Sequence, residues 1–485
     1  MTRRLHSHLT KKHKISPGPC RAAGVGAFVF ASTALLLTGC ASERPYADLW
    51  VPPRPYHADA DAARPPASAL DHSHHASNPA GPTQADANPT GELTLRDAVA
   101  LSLRHSPALA ASGWASTAAE AEARQMGQAP NPRVGFSSQN FAGPERGDTL
   151  ERHTLRISQV IELADKRARR LALGEATQRL RAWDFEQQRV DIAAEAGAHY
   201  VAVVTAQQRV TLAEQQLALA QDGLDVANDR AQSGTAPGLE CDQATARVAL
   251  RRIALEQARQ QLAAERADLA ATWGAADAVF DRATGDLDTR VQMPALDALR
   301  GRLAQSPAVA RWDDEIAQRQ AKLHLARANA TPDPTVGIGL RYFPEADETA
   351  GVAEISIPLN IFDDNRDAIL AARLRVSQAE AQRRHAYTEA NRLLTNAYAR
   401  LESADFALTA LDQDALPAAQ RAYDAALESY AAGLTDYLMV LDAERTVLEI
   451  RNRQLDTALT YHRAVLEIER ITSSSLGEDS DRAKP

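Results

Sequence analysis

The chain predicts a mainly α-helical protein with a small β part, built as a tandem duplication. Ala, Leu, Arg, Gln and Glu dominate its long segments, and aromatic residues make up only 5% of the 485. Such a composition suits long helices at close approach rather than a thick globular core. Four short stretches break the helical periodicity with alternation. In "TVGIGLRY", Val336, Ile338, Leu340 and Tyr342 alternate with Thr335, Gly337, Gly339 and Arg341, the period of a strand with one apolar face. Finally, four segments recur in the same order about 200 residues apart.

The recurring pairs are "HSPALAA" (105–111) with "QSPAVAR" (305–311), and "PNPRVGFS" (130–137) with "PDPTVGIG" (332–339). "LRISQVIEL" (155–163) pairs with "EISIPLNIF" (354–362), and "SGTAPGLECDQATARV" (233–248) with "AGLTDYLMVLDAERTV" (432–447).

At the N-terminus, a basic region (Arg3, Arg4, Lys11, Lys12, Lys14, Arg21) precedes an apolar run from Ala22 to Leu37 that ends in "LTGC". This resembles a bacterial lipoprotein signal, with residues 1–39 removed and Cys40 becoming the lipid-modified first residue. The run is short for a retained membrane span. Ala41 follows Cys40, with no Asp there to suggest inner-membrane retention, which favours the outer membrane by resemblance to sorting patterns. Cys20 leaves with the signal, so Cys241 is the only other thiol and no intrachain disulfide is expected. Beyond residue 39 the chain holds 48 basic and 63 acidic residues. That acidic balance argues against nucleic-acid binding and is compatible with handling cations.

Residues 40–92 read as a flexible Pro/His-rich linker without apolar periodicity. His72, His74 and His75 are weak metal-ligand candidates there. Imidazoles at this spacing suit a borderline ion, but a flexible tract offers no preformed geometry.

Each half then repeats one order of elements. Thr94 and Asp97 form a capping box for a short opening helix. Ser106-Pro107 and Ser306-Pro307 start the next helix, with Ser as N-cap and Pro at the first helical position. A Pro-x-Pro ends that helix, and two strands follow: about 132–141 and 153–163 in the first half, about 334–343 and 352–362 in the second. Ala353, Ile355, Ile357, Leu359 and Ile361 line one face of the last. Long helices run from about Lys166 to Gln232 and from about Arg366 to Ala431; the first would span roughly 100 Å. Pro417 should kink or locally break the second. Each ends at a glycine, Gly234 or Gly433, before a returning helix. The plan suits antiparallel coiled-coil hairpins, with Ala193, Ala194, Ala196, Gly197 and Ala198 permitting close packing.

Four strands do not close a barrel. In a bilayer their open edges would leave unpaired backbone groups, each costing several kcal/mol by order of magnitude. Either they sit in a soluble sheet, for which no other segment offers a cover, or other copies complete them; three copies supply twelve strands.

The duplicated plan, the lipobox and "YAAGLTDYLMVLDAERT" resemble the TolC-type outer membrane efflux proteins. "PNPRVGF…QVIELADKR" and "PDPTVGIGLRY…SIPLNIFDDNRDAI" look like the CzcC/CusC-like branch that serves heavy-metal RND pumps. The resemblance covers about Leu93 to Ile471, with a first repeat at 93–290, a second at 291–472 and a disordered tail at 473–485. It implies a TolC-like fold: a homotrimer with a 12-stranded β-barrel in outer membrane lipid, continued by an α-helical periplasmic barrel. The partners it implies are a periplasmic adaptor (membrane fusion protein) and an inner-membrane RND transporter. The duct would be passive, with no cofactor and no catalytic residue. Consistently, the chain has no GxxxxGK[ST], CxxC or HExxH.

By the same resemblance, Gly234, Thr235, Gly433 and Leu434 are adaptor-contact candidates at the two helical tips. Asp442 matches an aspartate that rings the closed periplasmic entrance in relatives, and Met439 occupies a neighbouring position that is acidic there. Tyr430 matches a tyrosine that bonds across to the other tip; its acidic partner position is Gln232 here, and an arginine position is Thr435. Only four methionines occur, too few for a soft copper(I) or silver relay, so divalent metals are the expected cargo. Drugs or organic compounds through the same duct remain open, as does a lipid-anchored coiled-coil scaffold or adaptor. Val336, Ile338, Leu340 and Tyr342 should face lipid, with the glycines and Arg341 facing the lumen or a loop. Arginine at Ile338 should disrupt assembly more than arginine at Gly339.

Overall fold

The computed structural model describes residues 88–140, 151–233, 238–291 and 293–474. The signal peptide, Cys40, the linker histidines, Gly234, Thr235 and most of the tail lie outside these residues.

The elements in chain order are β1 (Glu92–Leu93), α1 (Leu95–His105), α2 (Pro107–Met126), β2 (Arg133–Gln139), β3 (Arg152–Val160), α3 (Lys166–Gln232) and α4 (Gly238–Ala271). The second half follows with β4 (Arg282–Ala283), α5 (Leu296–Arg302), α6 (Pro307–Asn329), β5 (Thr335–Phe343), β6 (Glu348–Ser356), α7 (Arg366–Ala410), α8 (Leu416–Ala431) and α9 (Tyr437–Thr472). The duplication is therefore structural as well as sequential.

Local chemistry accounts for most boundaries. Thr94 caps α1, with the Asp97 N–H donating to Thr94 Oγ1 at 3.2 Å; the expected box is incomplete, because Asp97 Oδ2 accepts from the Thr94 hydroxyl at 2.6 Å rather than from its N–H. Ser106 caps α2 by accepting from Leu109 N–H at 3.5 Å. Ser306 differs from its expected role. It occupies the N-cap position of α6 without a side-chain cap, because its hydroxyl turns back to donate to Leu303 O at 2.9 Å. α3 is 67 residues long, as its unbroken pattern predicts. Both long helices begin after a left-handed residue, Asp165 (φ 56°) or Asn365 (φ 61°), and the first turn carries a second one at Ala164 (φ 56°).

Pro417 interrupts the α-helix locally, as expected, without ending the helical run. The missing N–H is absorbed upstream by a five-residue π-helical turn, Leu411–Ala415, and helix resumes directly as α8. Asp412 in that turn accepts from Arg290 at 2.7 Å and from Gln454 at 2.7 Å, which ties the irregular turn to its neighbours.

The four long strands form one sheet in the order β2-β3-β5-β6, antiparallel throughout. The central pairing, β3 with β5, joins the two repeats, and β2 and β6 are the edges among the described residues. The fourth strand lies earlier than its sequence pattern suggests. Pairing of Phe343 with Glu348 and Thr335 with Ser356 draws Glu348–Gly351 into the strand and leaves Ile357, Leu359 and Ile361 outside it. Pro358 has no N–H to extend the β5–β6 ladder, and Pro334, whose carbonyl accepts from the Ile161 N–H at 2.8 Å, has none to return to β3. β3 likewise stops at Val160, so Leu163 is outside it.

Register places Val134, Phe136, Leu155, Ile157, Ile338, Leu340 and Ile355 on one face, and all are exposed. That face matches the lipid-facing set expected for "TVGIGLRY". The opposite face carries Arg156, which donates to Glu354 at 2.7 Å, and Arg341, which donates to Thr154 Oγ1 at 3.1 Å. Gly339 lies between the backbones of this face. A Cβ there would meet Leu155 O at 2.5 Å and Arg156 Cα at 3.0 Å, so Gly339 has a packing role that its place on the polar face did not suggest.

The hydrophobic core gathers beside the short parallel pair β1–β4. Leu93, Leu269, Trp273, Phe280, Leu299, Leu303, Leu394 and Ile468 are almost fully buried there, so both repeats contribute to one core. Tyr200 of α3 donates to Leu93 O at 3.0 Å. Gln207 exchanges two hydrogen bonds with Ala283, 2.8 and 2.9 Å. These bonds anchor the strand pair to the long helix.

Candidate functional site at the helical tips

The far ends of the helical hairpins are two turns, α3 to α4 and α8 to α9. The second is fully described. Gly433 sits at φ 72°, where a side chain would be strained. The Leu434 N–H donates to Ser429 O at 2.9 Å and the Gly433 N–H to Tyr430 O at 3.0 Å, satisfying the last carbonyls of α8. Leu434 projects into solvent, 79% exposed. Asp436, unassigned by sequence reasoning, is the N-cap of α9 and accepts from Met439 N–H at 3.2 Å. The Met439 side chain and Asp442 are exposed, three residues apart and so on one helical face.

Tyr430 crosses between the tips. It is 7% exposed, and its hydroxyl donates to Glu240 Oε2 at 3.4 Å. The Arg230 guanidinium lies 4.4 Å above its ring, and Tyr437 tilts against it at 5.4 Å. Burial, then the Glu240 carboxylate, pushes the phenol above its ordinary pKa. The partner is therefore Glu240, from the first turn of α4, rather than a group at Gln232, whose side chain is exposed. Thr435 Oγ1 is buried without a hydrogen-bond partner among the described residues.

One turn further in lies a second tie between the repeats. Glu444 on α9 is 4% exposed and pairs with Arg247 on α4. Arg251, one turn along α4, stands 3.9 Å from its other oxygen. Arg247 also donates to Tyr437 Oη at 3.4 Å, and Arg251 to Gln216 Oε1 at 3.3 Å. Burial, then Arg247, lowers the Arg251 pKa from its ordinary value. A sequence signal for this group existed. Glu444 falls on the stripe Val440, Val447, Leu448, which is otherwise buried and apolar.

A pair of long helical hairpins continued by a sheet with an apolar outer face and open edges is the protomer of a membrane duct. The family model for the outer membrane efflux protein matches residues 98–275 and 299–474, and the chain belongs to that family. It is an outer-membrane efflux channel. Among curated relatives, the cobalt-zinc-cadmium resistance protein CzcC of Cupriavidus metallidurans is 30% identical over 381 residues, covering 79% of this chain and 90% of that protein. The nickel-cobalt-cadmium resistance protein NccC of Alcaligenes xylosoxydans xylosoxydans is 27% identical over 67% of this chain and 73% of its own. Among solved structures, a CusC crystal structure superposes with a TM-score of 0.68 at 17% identity, covering 79% of this chain and 92% of that one. The outer-membrane channel OprN gives 0.68 at 20% identity, with 79% and 90% covered.

Proposed function

We propose that this channel is the outer-membrane duct of a tripartite RND efflux system and that it passes divalent heavy-metal cations. The observation that carries the cargo is the set of named relatives, whose resistances are to cobalt, zinc, cadmium and nickel. The scarcity of methionine supports divalent ions over soft monovalent ones.

In this reading three copies pair β2 of one with β6 of the next, closing a twelve-stranded barrel and leaving no edge in lipid. Cys40 carries the lipid anchor, and the polar, Arg156-bearing face lines the lumen. The tips at Gly234, Thr235, Gly433 and Leu434 meet the periplasmic adaptor. Asp442, repeated around the axis beside Met439, forms an acidic ring that concentrates cations at the entrance. The Tyr430–Glu240 contact holds the tip closed until adaptor and pump engage. The duct itself is passive, and the inner-membrane transporter supplies the driving force.

Deletion of the gene tests the cargo. Cells should become more sensitive to cobalt, zinc and cadmium than to dyes or detergents, and wild-type protein should restore tolerance. Sensitisation to organic compounds alone would overturn the metal reading and favour drug export through the same duct.

A further inference from the structure

We propose that His199, Glu265 and Asp268 form a binding site for one divalent cation of the zinc or cobalt class, joining α3 to α4. One ligand atom from each residue lies within 4.8 Å of the other two. A zinc-sized ion bound at about 2.0–2.2 Å from each ligand spans nearly that separation, so small rotamer adjustments complete the contacts. Glu265 and Asp268 are three residues apart and share one face of α4. His199 comes from the facing helix, so the site exists only when the two helices pack.

The ligands stand on rigid supports. Tyr200, next to His199, is buried and bonded to Leu93 O. Leu269 and Ala270, next to Asp268, are fully buried. These neighbours fix the rotation of both helices and hence the direction of the three side chains.

Charge points the same way. The nearest cation in sequence, Arg266, turns away, donating to Phe280 O and lying 4.7 Å over the Phe280 ring. Glu265 accepts one amide hydrogen bond, from Gln261 at 2.6 Å. Among the described residues, the side chains of His199 and Asp268 enter no hydrogen bond or ion pair. By contrast, His462 is committed to Leu287 O at 3.0 Å and His153 to Glu151 at 3.4 Å. Two carboxylates on adjacent turns repel each other when ionised, and a cation between them and the imidazole relieves that repulsion.

The donor set, one imidazole and two carboxylates, suits zinc, cobalt, nickel or cadmium; it offers no thiolate or thioether for copper(I). His199 and Glu265 are half-buried while Asp268 is exposed, so an ion enters from solvent and water fills its remaining positions. The inference does not depend on what the duct exports.

The test uses full-length, detergent-solubilised protein in which His72, His74 and His75 are alanine, so that the N-terminal tract cannot contribute. Cobalt(II) is titrated by calorimetry and by its visible absorption. The expected result is one ion per chain, retained in a large excess of magnesium. His199→Gln and Asp268→Asn should each weaken binding by more than the roughly tenfold that loss of a supporting partner costs a metal site. Unchanged affinity in either assembled variant, or displacement by magnesium, overturns the proposal. If His199→Gln does not assemble, Asp268→Asn decides alone, because its side chain is exposed and its shape is kept.

Discussion

Arg156 on β3, opposite Gly339, reaches across β5 to Glu354 on β6, opposite Gly337, closing an ion pair of 2.7 Å. Both side chains are about half exposed, so the pair itself contributes little, within about 1 kcal/mol. The close packing beneath it matters more. Gly339→Ala should abolish the assembled oligomer, because its Cβ would collide with Leu155 O. Gly351→Ala on the neighbouring strand has open space and should be tolerated. Arg156→Ala should be nearly silent. Semi-native gels of heated and unheated membranes read all three.

A second prediction separates the faces of the sheet. Ile338→Arg puts a charge on the apolar face, at a cost of roughly 2–4 kcal/mol if that residue sits near the bilayer midplane. Ser137→Arg, on the polar face of β2 and exposed, should fractionate with the outer membrane as wild type does. Gly339→Arg is no longer a fair comparison, since steric conflict alone would disrupt it.

The buried charge between the repeats should be expensive to disrupt. Glu444→Ala leaves Arg247 and Arg251 without their carboxylate and should destabilise the helical region by about 3–5 kcal/mol. Thermal unfolding followed by circular dichroism would register the loss. Glu444→Leu combined with Arg247→Met should recover much of it, since matched apolar replacements of buried ion pairs are often neutral.

Opening of the tip should follow Tyr430. Tyr430→Phe and Glu240→Gln each weaken the same contact, so each should raise single-channel conductance in planar bilayers, and the double variant should add little to either. The phenol pKa is raised in the fold, so the folded state holds its proton more tightly than the unfolded chain. The contribution is intact at neutral pH and declines as pH rises above 10, the ordinary tyrosine value. Conductance should increase over that range in wild type and much less in Tyr430→Phe.

Much of the architecture was legible because it rests on local rules. Apolar periodicity, the N-cap at Thr94, prolines at the first turns of α2 and α6, and glycine at 433 each act within a few residues, and each marks a real boundary. The errors arose where distant pairing decides. Ile357, Leu359 and Ile361 alternate as a strand should, yet the register set by β5 ends the ladder before them. Pro417 signals a local break, but its form, a π turn held by Arg290 and Gln454, is set by distant contacts. At the tip, Tyr430 was identifiable and its partner was not, because Glu240 becomes adjacent only when two hairpins lie side by side.

By itself, the chain determined the duplication, the long helices, the four long strands and the apolar face of their sheet, since short-range sterics and hydrophobic period specify these. Only the tertiary structure decided which strands join the repeats, why Gly339 must stay small, and which charges meet in the interior. Those depend on contacts between residues up to some 200 positions apart, such as Arg247 with Glu444 and Arg156 with Glu354. No local pattern encodes them, because burial and charge pairing are settled only when the helices and strands pack together.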